Sequence, residues 1–133
     1  MSGVLVDTSF FAALLSPRDA LHQQAVELSQ QTWDERVTTE FILLELSNFL
    51  AKSSVRNLLP DLVKRLQDDP ATTIVPCTTE RFERGLSLYA SRPDKHWSLT
   101  DCISFQVMTE RGLSDALTYD RHFEQAGFKA LMR

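Results

Sequence analysis

Four acids are placed so that a fold could gather them: Asp7, Glu45, Asp101 and Asp120. Clustered carboxylates repel one another unless a cation neutralises them. Ligand sets made only of oxygen suit Mg²⁺ or Mn²⁺. Such ions lower the pKa of a bound water and clamp the attacking and leaving oxygens of a phosphodiester. The chemistry expected of the quartet is therefore metal-assisted hydrolysis. No covalent intermediate is expected, because no side chain is an obvious nucleophile. The chain has no Ser-His-Asp arrangement, no Gly-rich phosphate loop and no HExxH motif to compete with this reading. Its three histidines, His22, His96 and His122, are scattered along the sequence. Their spacing offers no His-based metal site, and His22 and His122 read as surface residues.

Each acid has a plainer explanation. Asp7 follows a β-branched run and precedes Thr8-Ser9, so it reads equally as a helix N-cap. Glu45, on a helix, neighbours Phe41, Ile42, Asn48 and Phe49. It borders an apolar face, where a carboxylate needs a cation or donors, and Lys52 is the plain partner. Asp101 in Ser98-Leu99-Thr100-Asp101 fits a capping box. It also lies at the positive end of the helix dipole, which keeps a carboxylate ionised as a metal ligand must be. Asp120 in Thr118-Tyr119-Asp120 is a default cap for the next helix. The placement of the set says more than any member: two acids follow predicted strands, a third opens a helix, and all can face one crevice.

The elements that must position them alternate along the chain. Strands are predicted at Val4–Val6, Arg36–Thr38, Thr72–Pro76, Ala116–Thr118 and, as an edge, Phe128–Met132. Helices are predicted at Phe10–Leu15, Ala20–Gln31, Thr39–Lys52, Val55–Leu66, Thr78–Ala90, Ser98–Arg111 and Arg121–Ala126. Gly112 and Gly127 stop the last two. This alternation predicts a three-layer α/β/α sandwich on a mostly parallel sheet of four to five short strands. Functional sites in such sheets lie beyond the carboxyl ends of the strands.

The 133 residues form one domain, 1–133, since domains run about 100–200 residues. Hydrophobic residues make up 43% and charged residues 24%, an ordinary balance for a globular protein that excludes general disorder. The net charge of −4 argues against a module that grips phosphates by charge alone. It is compatible with a metalloenzyme, because bound cations reverse the sign of an acidic site. Cys77 and Cys102 lack metal or disulfide spacing and read as free thiols, with Cys102 buried beside the start of its helix. With no basic leader and no apolar run long enough to span a membrane, a cytoplasmic protein is expected.

At the four acids the sequence resembles the PIN-domain ribonucleases, and within them the VapC-like toxin nucleases of bacterial toxin–antitoxin operons. The segments that carry the resemblance are Val6–Phe10, Thr38–Glu45, Ser98–Asp101 and Thr118–Phe123, in order. The resemblance implies a PIN-like nuclease that binds Mg²⁺ or Mn²⁺ and hydrolyses single-stranded or looped RNA. It assigns Asp7, Glu45, Asp101 and Asp120 as catalytic, metal-holding acids, supported by the hydroxyls of Ser9 and Thr118. Asp115 is a substitute for the fourth acid, and Asp94 for an auxiliary acid where His96 stands. Arg92, Lys95, His96 and Arg121 are candidate RNA-gripping residues, though each also reads as solvated surface. A separate antitoxin chain is implied as partner, with a homodimer and a groove for an antitoxin peptide. The apolar helices Phe10–Leu15 and Val55–Leu66 would supply the patches for these contacts. Two rival readings stand beside this one. A phosphoryl-accepting receiver domain needs an acidic pair near Asp7 and a lysine after Thr118, and has neither. A PIN-like module that only docks a protein or RNA would not need all four acids.

Overall fold

The computed structural model describes residues 2–133. Its five strands are β1 (Val4–Val6), β2 (Arg36–Thr39), β3 (Thr72–Val75), β4 (Asp115–Leu117) and β5 (Lys129–Ala130). The helices are α1 (Thr8–Leu15), α2 (His22–Ser29), α3 (Glu40–Leu50), α4 (Leu59–Asp68), α5 (Thr79–Ser91), α6 (Leu99–Arg111) and α7 (Arg121–Gln125). All pairings are parallel, in the order β3-β2-β1-β4-β5. The expected α/β architecture is present, and the sheet has the upper number of strands.

This order has a functional meaning. From β1 the chain builds outward through β2 to β3, then crosses back to place β4 on the other side of β1. Helices leaving β1 and β4 therefore diverge at their carboxyl ends, and a crevice opens there. Register fixes the geometry: Leu5 lies opposite Val37 and Ala116, and Val6 opposite Leu117. Val4 and Leu5 are fully buried on both faces, as a central parallel strand requires. Thr38 donates its hydroxyl to the Val6 carbonyl at 3.0 Å, tying the end of β2 to the end of β1.

Three predicted elements differ in detail. The helix expected at 55–66 is a 3₁₀ turn, Arg56–Leu58, followed by α4, which runs on to Asp68. Pro60 is the reason: it lacks an amide proton and is tolerated only in the first turn, so α4 must begin beside it. α2 is shorter than expected at both ends, and β5 keeps only two residues of the edge segment.

The core lies between the sheet and its flanking helices. Phe105 of α6 packs edge-to-face on Trp97 and Phe123, each at 5.0 Å between ring centroids. α6 also lies close against α5, where a Cβ on Gly85 would collide with the side chain of Ile103. Phe10 and Phe11 of α1, expected as part of an exposed patch, are instead buried in this core. The large exposed apolar side chains are Leu44, Phe49, Leu58, Phe82, Leu86, Tyr89 and Tyr119. No helix among the described residues is long and apolar enough to cross a membrane.

Candidate active site

Asp7 ends β1 and occupies the N-cap position of α1, yet its carboxylate makes no capping hydrogen bond. The plain reading therefore fails for this residue. Thr118, just past β4, donates its hydroxyl to Asp7 Oδ2 at 2.8 Å. With that proton committed, Ser9 Oγ donates to Thr118 Oγ1 at 3.1 Å. Ser9 in turn accepts the Tyr119 amide at 3.0 Å, and Thr118 Oγ1 accepts the Asp120 amide at 3.0 Å. The two hydroxyls expected as supports thus lock the β1 end to the β4 end.

Asp101 and Asp120 cap helices and face the crevice at once. Ser98 and Asp101 form the full capping box of α6, with the Ser98 amide donating to Asp101 Oδ2 at 3.1 Å. Asp120 caps α7, accepting the His122 amide at 2.8 Å. The His122 ring then joins the two: its Nδ1 lies 3.0 Å from Asp101 Oδ2 and 3.3 Å from Asp120 Oδ1. Ligand atoms of Asp101, Asp120 and His122 all lie within 4.8 Å of one another. His122 was expected at the surface, and the structure corrects that: α7 turns its ring onto the start of α6. The Asp-x-His spacing of 120–122 was the one available signal.

Glu45 reaches the same crevice from the second turn of α3. Its partner is the hydroxyl of Thr8, which donates at 2.6 Å, where the sequence pointed to Lys52. Asp19, just before α2, is a further acid at this crevice. It accepts the Leu21 amide at 2.8 Å and lines the crevice.

The crevice has a volume of about 420 Å³ and is bordered by Asp7, Asp19, Glu45, Asp101 and Asp120. None of the described residues lining it is Lys or Arg. The electrostatic consequence is plainest at Asp7, which is only 4% exposed. Burial pushes its carboxyl up to about 7, against the pull of the hydrogen bonds from Thr118 and the Thr8 backbone. Repulsion from Asp101 and Glu45 adds to the rise. Asp101 is raised for the same leading reason, its burial, with repulsion from Asp120 opposing the help of Ser98 and His122. Clustered carboxylates with His122 beside two of them and no Lys or Arg among the described lining residues are a set that a hard divalent cation fits.

The candidate RNA-gripping residues separate. His96 lines the crevice. Arg121 is exposed at the first turn of α7, beside Asp120. Lys95 is half-buried in the loop before α6 and does not line the crevice. Arg92 is turned elsewhere: it makes a bidentate pair with Asp94 at 2.9 Å and lies over the Trp97 ring. That pair holds the Asp94 carboxyl down to about 2, and Asp94 does not line the crevice. Asp115 opens β4 opposite Lys129, at the end of the strand away from Thr118.

The PIN domain family model matches residues 4–129. The chain is 28% identical over 126 residues to the 23S rRNA-specific endonuclease VapC20 of Mycobacterium tuberculosis, covering 94% of this chain and 95% of that protein. Superposed on the crystal structure of VapC20, described as a sarcin–ricin loop cleaving toxin, it gives a TM-score of 0.84 at 25% identity, covering 94% of this chain and 95% of that one. The FitAcB structure from Neisseria gonorrhoeae shares the fold with a TM-score of 0.62 at 20% identity, over 98% of this chain and 95% of that one. With the acids at the switch of a parallel sheet and the family match running almost end to end, this chain belongs to the PIN domain family.

Proposed function

We propose that the chain is a divalent-metal-dependent endoribonuclease, the toxin of a toxin–antitoxin pair. The observation that carries the reading is the crevice of five carboxylates without Lys or Arg, built around a buried Asp7. The likeness to VapC20 along 94% of the chain supports RNA as the substrate. Asp7, Glu45, Asp101 and Asp120 hold Mg²⁺ or Mn²⁺. When bound, the cation supplies an acidified water and neutralises charge on the phosphate. The residues do the rest of the work. Thr118 fixes the rotamer of Asp7, and Ser9 fixes Thr118. Thr8 orients Glu45, and the capping box and His122 orient Asp101. The Ser98 amide and the helix dipole favour the ionised form of Asp101, against the burial that raises its pKa.

The antitoxin would be a separate chain. A groove of about 220 Å³ between α1 and α4 suits a peptide from it, with Leu14, Leu62 and Leu66 for apolar contacts above the buried Phe10 and Phe11, and Arg65 at its border. For the expected homodimer, α5 supports a patch other than the one expected on the helices at 10–15 and 55–66: Phe82, Leu86 and Tyr89 recur at helical spacing and stand exposed.

The test is cleavage of unstructured and stem-loop RNA with Mg²⁺, with Mn²⁺ and with chelator. Cleavage should need the metal and should vanish in Asp101→Asn. Cleavage that persists in chelator would overturn the metal reading. Absence of cleavage with every RNA and either metal would leave a docking module instead.

A further inference from the structure

We propose that Tyr119, stacked on Arg133 at the edge of the crevice, forms with Phe49 a binding subsite for unpaired nucleobases. The inference rests on the ribonuclease reading and adds to it the part of the RNA that the protein holds. Tyr119 and Phe49 are 46% and 65% exposed, although large apolar rings are usually hidden. Both line the acidic crevice. Each also sits beside an acid in the chain: Tyr119 directly precedes Asp120, and Phe49 lies one helical turn beyond Glu45 on α3.

The Tyr119 ring is held in place rather than adrift. Its amide donates to Ser9 Oγ at 3.0 Å, inside the hydroxyl chain that locks Asp7. The Arg133 guanidinium lies 5.1 Å from the ring centroid. Arg133 is itself fixed, donating to the Tyr119 carbonyl at 3.1 Å and pairing with Glu124 at 2.9 Å. The guanidinium takes one face of the ring and, paired with Glu124, stands beside a crevice with no Lys or Arg among its described lining residues. A nucleobase is the ligand that uses such a site. Aromatic rings stack any base through its π-face, and an arginine beside them meets the backbone phosphate. Bases inside a duplex are stacked on one another and cannot reach the rings, so the subsite selects single-stranded or looped RNA.

The probe is an oligoribonucleotide of alternating adenosine and cytidine, which cannot pair with itself, compared with an abasic oligomer of the same ribose-phosphate backbone. Binding is followed by fluorescence anisotropy with Ca²⁺ in place of Mg²⁺, and Mn²⁺ binding is measured by calorimetry. The wild type should bind the base-bearing strand about tenfold or more tighter than the abasic one. Tyr119→Ala and Phe49→Ala should each lose about fivefold or more on the base-bearing strand and nothing on the abasic one. Tyr119→Phe should bind as the wild type does, and Mn²⁺ affinity should not move in any variant. Equal losses on both strands, or none, would overturn the subsite while leaving the ribonuclease reading intact. A wild type that neither binds nor cuts RNA would bring down both. Variants that keep RNA binding but sediment as smaller species would assign the rings to a protein interface and overturn the subsite.

Discussion

Replacing Asp7 by Asn separates the metal reading from every structural one. In chelator, the wild type must hold a carboxylate whose pKa is about 7 when folded and 3.8 when unfolded. A native group with a raised pKa binds a proton that the unfolded chain releases, so stability falls as pH rises between those values. Above pH 7 the full difference applies, and at 1.36 kcal/mol per pK unit it amounts to about 4 kcal/mol. Asn has no charge to bury and keeps an oxygen for the Thr118 hydroxyl. Part of the gain is lost because that hydrogen bond is no longer to a charged acceptor. Asp7→Asn should then be more stable than wild type by about 2–4 kcal/mol at pH 8, and by less than about 1 kcal/mol at pH 4. For a chain of this size each kcal/mol moves the melting temperature by about 3–5 °C. Adding Mg²⁺ should close most of that gap. A ligand at a hundred times its Kd stabilises the folded state by about 2.7 kcal/mol, and the variant should forfeit most of that. The assay is a pair of melting series, across pH in chelator and across Mg²⁺ at pH 8, beside RNA cleavage. A variant less stable than wild type at pH 8 in chelator, or a gap that does not change with pH, would refute the reasoning.

Other residues give sharper local tests. His122→Asn keeps a nitrogen near the Nδ1 position and should retain Mn²⁺ affinity within severalfold, whereas His122→Gln and His122→Ala should lose about tenfold or more by calorimetry. If Gln outperforms Asn, the contact that matters is not the Nδ1 bridge between Asp101 and Asp120. Gly85→Ala should destabilise by about 1–2 kcal/mol in urea despite the helix propensity of Ala, because its Cβ runs into Ile103. Cleavage should fall with it, since Ile103 stands two residues beyond Asp101 on α6; a stabilised variant would contradict the packing. Burial raises the thiol pKa of both cysteines, which slows their oxidation. Activity should therefore be the same with and without reductant, and a requirement for oxidant would count against free thiols. Leu86→Lys should shift the protein toward monomer in light scattering, and a wild type that is monomeric at high micromolar concentration would remove the dimer.

Much of this arrangement was legible from residue order. Val4–Val6 and Arg36–Thr38 read as strands because β-branched runs end at polar caps, and the structure puts them side by side. The quartet was visible as two acids after strands, one opening a helix and one on the apolar side of a helix, and all four border one crevice. What remained hidden depended on contacts across layers. His122 looks like a surface residue on a five-residue helix until α7 is seen against the start of α6. Thr8 looks like a capping neighbour of Asp7, and its bond to Glu45 crosses 37 residues of sequence. Arg92 carries a charge that suited RNA, but an acid two positions on and an indole ring claim it first. The apolar surplus was placed on the helices at 10–15 and 55–66 by composition alone, whereas the fold buries Phe10 and Phe11 and leaves Phe82, Leu86 and Tyr89 of α5 exposed.

The bond between Thr118 and Asp7 spans 111 residues. Synthesis runs from the N-terminus, so Asp7 and Glu45 leave the ribosome long before Thr118, Asp120 and His122 exist. The switch of the sheet at β1 means that the crevice has only one wall until β4 slides in beside it. Pairing over so long a loop is among the slower steps of folding. On the proposed ribonuclease reading, the chain is thereby expected to be silent while it is still incomplete on the ribosome. A product truncated anywhere before Thr118 stays silent too, because its most buried acid has lost the partner that holds it.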